Sequence, residues 1–210
     1  RNTSAPGICT AFPGDGIDRR VHARGTSEST ALITRWATYI YKYVTTLLDS
    51  NNVSQDYSHL FVKGLLAHGC SWEHLDSGFH EIIDDISNND KRTAKKIKTQ
   101  WIGYGYPDFS YAISCSAQRV TIMGYGELMH EQGHQYAFPL PPSLSSKRVK
   151  RKLIVTLAWQ TPISSSSQRY RVAHLWVNAP NRVASDKGDV ADWRTVSRGT
   201  LQHEIFEGDR

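Results

Sequence analysis

Arg24-Gly25-Thr26-Ser27-Glu28-Ser29-Thr30-Ala31 is a glycine-led turn that runs straight into a long amphipathic pattern. After Ser27 the apolar residues fall at Leu32, Ile33, Trp36, Ala37, Ile40, Tyr43, Val44, Leu47 and Leu48. This spacing predicts a helix over 28–48 with one buried face. Asp49-Ser50-Asn51-Asn52 stops it with residues that favour turns. A hydroxyl at the mouth of such a helix lies where unpaired backbone N–H groups and the positive dipole end favour an incipient negative charge. The same hydroxyls, Ser27 or Thr26, also suit an N-cap.

Residues 1–24 carry Pro6-Gly7, Pro13-Gly14 and Asp15-Gly16, which are turn signals, so loop with one short strand is expected. Downstream, Phe61, Val62, Leu65 and Leu66 stripe a second helix over 59–68, with Ser58 placed to cap its start and Gly69 its end. Residues 71–100 are polar and read as an exposed loop-and-helix excursion. Trp101-Ile102-Gly103-Tyr104-Gly105-Tyr106-Pro107-Asp108 is a glycine turn, followed by a short helix through Tyr111 and Ala112.

From about Ser116 the period changes. Residues 119–123, 134–138, 153–159, 171–177 and 200–206 read as strands. The clearest is Leu153-Ile154-Val155-Thr156-Leu157-Ala158-Trp159, whose odd-numbered residues point to one side. Pro139, Pro141, Pro142, Pro162 and Ser164 to Ser167 lie in the connections. Five strands with no helix between them argue for an antiparallel sandwich.

The 210 residues, 39% of them hydrophobic, allow one large domain or two small ones. Charged residues, at 21%, are spread through the chain, which is a globular composition. No apolar run reaches the roughly 20 residues of a membrane helix. The start, Arg1-Asn2-Thr3-Ser4, has neither an initiator Met nor a signal segment, and reads as a processed or truncated piece. The net charge of +5 includes basic runs at 91–98 and 147–152, which lack interleaved aromatics and read as solvated segments, not a nucleic-acid surface. Cys9, Cys70 and Cys115 are odd in number and widely spaced, suiting neither disulfides nor a zinc knuckle, with a lean towards a reducing, cytoplasmic compartment.

Gly25-Thr26-Ser27 followed by small residues resembles the G-T-S-x-A-[ST] nucleophile motif of the subtilisin-like serine proteases. Ala5-Pro6-Gly7-Ile8 resembles the A-P-G segment upstream of that serine, and Lys63-Gly64-Leu65-Leu66-Ala67-His68-Gly69-Cys70 the helix that follows, where His68 is structural. The Gly103/Gly105 turn looks like the one that closes the catalytic domain. Leu157-Ala158-Trp159-Gln160-Thr161-Pro162 is similar to a strand and turn of β-sandwich domains appended to some members. Similar patterns recur at 138–144, at 170–173 and at 199–208, so the likeness runs from Ala5 to Gly208. The motif departs from the pattern at Glu28 and Ser29, where Met and Ala are frequent, and at Ala31, where Pro is common. The resemblance implies an α/β C-terminal portion of a subtilisin-like catalytic domain at 1–117 and an all-β antiparallel, jelly-roll-like sandwich at 118–210. It implies peptide-bond hydrolysis through an acyl-enzyme on Ser27, with no cofactor evident and calcium as a family option.

A serine protease needs a base for the hydroxyl proton, an acid that orients the base, and donors for the oxyanion. In the subtilisin arrangement the chain order is Asp, His, Ser. Only Asp15, Asp18 and His22 precede Ser27 in that order, and a triad folded from ten consecutive residues demands an implausible loop. The expectation is therefore an absent N-terminal part or a partner chain that carries the Asp, the His and the oxyanion Asn, and covers the apolar stripe of the helix. Two other readings stand beside it. His130-Glu131-Gln132-Gly133-His134 is a literal H-E-x-x-H, the zinc-peptidase motif, with His174 or His203 as the third ligand; it requires a regular helix, which Gly124, Gly126 and Gly133 oppose. The other is a non-catalytic interaction module.

Overall fold

The computed structural model describes residues 7–14, 16–73, 75–139, 141–144, 149–166, 171, 173–177 and 199–208. A hairpin of β1 (Ile8–Ala11) and β2 (Arg20–Ala23) precedes the long helix α1 (Thr26–Ser50). The turn Gln55–Tyr57 leads into α2 (Ser58–His68), and β3 (Cys70–Ser71) into α3 (Ser77–Ile86) and α4 (Lys91–Ile102). Then come β4 (Tyr106–Pro107), α5 (Phe109–Ile113), a turn at Pro142–Leu144, β5 (Arg151–Ala158) and β6 (Leu201–Gly208). No described helix is long and apolar enough to cross a membrane.

The expected periodicity places α1 and α2 correctly. Asn52, in the left-handed region at φ 54°, lies beyond the end of α1, where Val53 N–H donates to the Leu48 carbonyl at 3.0 Å. Within 71–100 lie two helices capped by aspartates: Asp76 accepts from Gly78 N–H and Asp90 from Thr93 N–H. Asp108 caps α5 in the same way. The core is Ile40, Val44 and Leu48 of α1 against Leu65 of α2 and Ala112 of α5, with Phe61, Val62, Leu66 and Phe109 packed around it.

Two glycines are fixed by close approach. A Cβ on Gly69 would lie 2.3 Å from the Asp108 carbonyl oxygen, because α5 crosses the end of α2 there. Gly105, at φ 98°, brings β4 against the Ser71 backbone of β3.

The sheet architecture corrects the expectation. Among the described residues the strands form three two-stranded antiparallel sheets, β1–β2, β3–β4 and β5–β6. Among the described residues there is neither the α/β layering expected at 1–117 nor the jelly-roll-like sandwich expected at 118–210. Of the five strands expected after Ser116, two form, β5 and β6, paired from Arg151↔Gly208 to Ala158↔Leu201. Residues 119–123 and 134–138 have alternating side chains but no ladder partner. Ile122, Tyr136 and Phe138 stay exposed, and alternation does not make a strand without a neighbour to hydrogen-bond. The expected strand at 171–177 reduces to an isolated bridge between Ile163 and Arg171; Val172 lies outside the described residues. The β5–β6 pair packs on α2, so hydrogen bonds cross the expected 117/118 boundary.

Candidate functional site

Ser27 is the second residue of α1, exposed at its N-terminus. The capping alternative fails: Gly25 holds the N-cap position and no side chain caps the helix. The neighbouring hydroxyls turn inward, Ser29 Oγ donating to the Gly25 carbonyl at 2.9 Å and Thr30 Oγ1 to the Thr26 carbonyl at 2.7 Å. Ser27 is left with its hydroxyl in solvent, within the first turn, where backbone N–H groups point outward. The half-buried Glu28 folds its carboxylate over the same turn, so that a Cβ on Gly25 would stand 3.0 Å from Oε2.

The apolar stripe of α1 is unevenly covered. Its distal half, Ile40, Val44 and Leu48, is buried. The half nearer Ser27 is open, with Leu32 exposed and Ile33, Trp36 and Ala37 only partly covered. Ile33, Ala37 and Tyr41 of α1, Val62 and Leu66 of α2 and Leu201 of β6 line a groove of about 690 Å³. Six residues separate Ser27 from Ile33, about 9 Å along the helix axis, so the groove begins close to the hydroxyl.

The other residues named from sequence fall elsewhere. Asp18 lies in the β1–β2 turn, and His22 sits on β2 opposite Cys9. Neither hydrogen-bonds Ser27. Asp15 lies outside the described residues. The H-E-x-x-H stretch is a turn, with Glu131 in the left-handed region at φ 63° and Gln132 N–H donating to the Met129 carbonyl at 3.2 Å. His130 and His134 therefore do not share a helix face as zinc peptidases require. His134 meets the ring of Tyr136 edge-on instead, and His174 is exposed. No group of three or more metal-ligating side chains occurs among the described residues. Burial pushes the Cys70 thiol up to about 11, so it is a poor nucleophile. Cys9 and Cys115 are free and exposed.

A polar cluster that no local pattern in the chain marks lies where α2 meets β5–β6. Thr156 Oγ1 on β5 sits 3.0 Å from His68 Nδ1 on α2 and 2.8 Å from His203 Nδ1 on β6. Tyr104 packs edge-on against His203. Burial lowers the affinity of both imidazoles for a proton, to about 4 for His203, and raises that of the Tyr104 hydroxyl. Two more hydrogen bonds run along the same face of α2, His59 to Gln160 at 3.1 Å and Lys63 Nζ to the Thr200 carbonyl at 3.1 Å. The partners in these bonds are 47 to 137 residues apart, beyond the reach of any spacing argument.

No protein family, curated protein or solved structure matches the chain.

Proposed function

We propose that this chain supplies the nucleophile of a serine endopeptidase. The observation that carries the reading is the Ser27 hydroxyl, uncapped and exposed in the first turn of α1, within the Gly25-Thr26-Ser27 sequence that resembles a protease nucleophile turn. In the reaction, Ser27 Oγ attacks the scissile carbonyl and its proton passes to an imidazole supplied in trans or by an N-terminal part. The tetrahedral oxyanion faces the helix N-terminus. Its collapse expels the amine, which takes up the proton, and water then hydrolyses the acyl-Ser27 ester. Glu28 opposes the oxyanion electrostatically and, in this reading, turns away once the partner is bound.

The polypeptide that brings the Asp, the His and the oxyanion Asn is assigned to the open half of α1. Apolar surface left in water there costs about 25 cal/mol per Å², and the groove begins about 9 Å along the helix axis from Ser27. Labelling with a fluorophosphonate serine probe tests the reading. The chain bound to the partner proposed here is expected to take up one equivalent at Ser27, with Ser27→Ala abolishing both label and peptide cleavage, by about a thousandfold or more in kcat. Stoichiometric capture of a partner that leaves Ser27 unlabelled, with cleavage unchanged in Ser27→Ala, would refute it.

A further inference from the structure

The α2/β5–β6 junction contains a device that the protease reading does not use. Thr156 has one hydroxyl proton, and two imidazole Nδ1 atoms lie within hydrogen-bond reach of its oxygen. Among the described residues Thr156 Oγ1 has no hydrogen-bond partner besides the two imidazoles, so its own proton is used only if one histidine donates to it and the other accepts from it. His203 Nε2 is buried with no partner. A bare lone pair is tolerated there better than an orphaned N–H, so His203 carries its proton on Nδ1 and donates to Thr156. Thr156 then donates to His68 Nδ1. Protonating His68 puts a hydrogen where Thr156 points its own, and protonating His203 puts a charge on the partnerless Nε2.

The surroundings offer little relief. Facing His203 are Lys152 of β5, Lys95 of α4 and His68 itself, and Arg119 faces His68. The carboxylates nearby are engaged elsewhere: Glu73 takes Lys152 at 2.6 Å, and Glu204, on the opposite face of β6, accepts from Gln202 Nε2 at 3.0 Å. Tyr104 closes the remaining side with its ring, and its own hydroxyl is acted on by the Glu204 carboxylate and by Cys70.

We infer that the His68–Thr156–His203 array is an acid-sensitive latch that holds the β5–β6 hairpin on α2 and lets it go when the imidazoles protonate. Release withdraws Leu201 from the wall of the apolar groove and parts Lys63 from Thr200, so acid opens the groove at its β6 end. The direction follows from linkage. A histidine held neutral by burial contributes stability that is complete above the ordinary imidazole value of 6.5 and is lost as pH falls from there towards about 4. With His203 alone returning to ordinary behaviour on release, the closed state loses roughly twentyfold in relative population between pH 7 and pH 5.

Hydrogen exchange of the full chain tests this, with amides of 151–158 and 201–208 measured against those of α1 in the same sample. The expected result is a roughly twentyfold loss of hairpin protection between pH 7 and pH 5 relative to α1. In His203→Asn, whose amide occupies the Nδ1 position without titrating, that loss is expected to shrink to the smaller part that His68 contributes. A flat profile in the unaltered chain, or an undiminished loss in His203→Asn, overturns the latch. If the variant does not fold, imidazole NMR titration of the unaltered chain decides. A His203 midpoint well below 6.5 that coincides with hairpin release supports the latch, and ordinary midpoints for both histidines overturn it.

Discussion

The two faces of α2 are held by different forces. Towards α1 it presents Leu65 with Phe61, Val62 and Leu66, and the contact with Ile40, Val44 and Leu48 is apolar throughout. Towards β5–β6 it presents His59, Lys63 and His68, which reach Gln160, Thr200 and Thr156 by hydrogen bonds. Gly64, between them, faces Ala158. Hydrophobic contacts are non-directional and indifferent to pH, whereas the polar face depends on each group finding its partner. One helix therefore joins a permanent contact to a conditional one.

The comparison breaks most visibly on the apolar side. Ile40 is 1% exposed. Ile40→Ala removes buried methylenes and leaves a cavity between the helices, costing about 2–5 kcal/mol. Urea unfolding is expected to lose this amount equally at pH 7.5 and pH 5.5. A pH-dependent loss would mean that the two faces are not separable.

This asymmetry also explains what the sequence disclosed. The α1 stripe recurs within eight or nine residues, so its period was legible, as were the turn at Asp49-Ser50-Asn51-Asn52 and the end of α2 at Gly69. Asp76, Asp90 and Asp108 stand in polar stretches where an aspartate fits a turn as well as a cap, so they do not by themselves mark helix starts. The expected sandwich fails for a physical reason: Val120, Ile122 and Tyr136 alternate as strand residues do, yet a strand exists only where a second backbone pairs with it. At Ser27 the residue and its helix were readable. That no side chain caps the helix was not, since capping depends on rotamers rather than residue type. The sequence reads His68 as structural and offers His203, beside His174, only as a third ligand for the H-E-x-x-H motif; it does not join the two. Nothing local in a sequence marks two residues that share a threonine hydroxyl across a fold.

A middle-sized effect sharpens the polar side. Thr156→Val keeps the shape and removes the hydroxyl that both imidazoles use, leaving two Nδ1 atoms without a partner. The expected cost is about 1–3 kcal/mol at pH 7.5. Thr156→Ser is expected to recover most of it, since the oxygen returns. Thermal unfolding of the two variants side by side measures the difference. Equal stability of Val and Ser at this position would reduce the array to incidental packing.

The smallest effect probes how the latch is tuned from outside. Glu73 and Lys152 form an ion pair at 2.6 Å, but the Glu73 side chain is 67% exposed. Solvent screens such a pair, so Glu73→Gln is expected to cost no more than about 0.5 kcal/mol at pH 7.5. Its consequence at lower pH is distinct. Lys152 already disfavours the His203 imidazolium, and without Glu73 its charge is less neutralised. The folded-state affinity of His203 for a proton falls further, while that of the released hairpin is unchanged. From pH 6.5 down to about 5 the folded imidazole stays neutral in both proteins and their profiles coincide. Near and below about pH 4, where the unaltered chain's loss levels off, Glu73→Gln goes on losing stability, and added salt narrows that gap by screening Lys152. A variant whose acid profile overlays that of the unaltered chain at low salt would show that Lys152 does not act on the latch, and that burial alone sets the pH at which it opens.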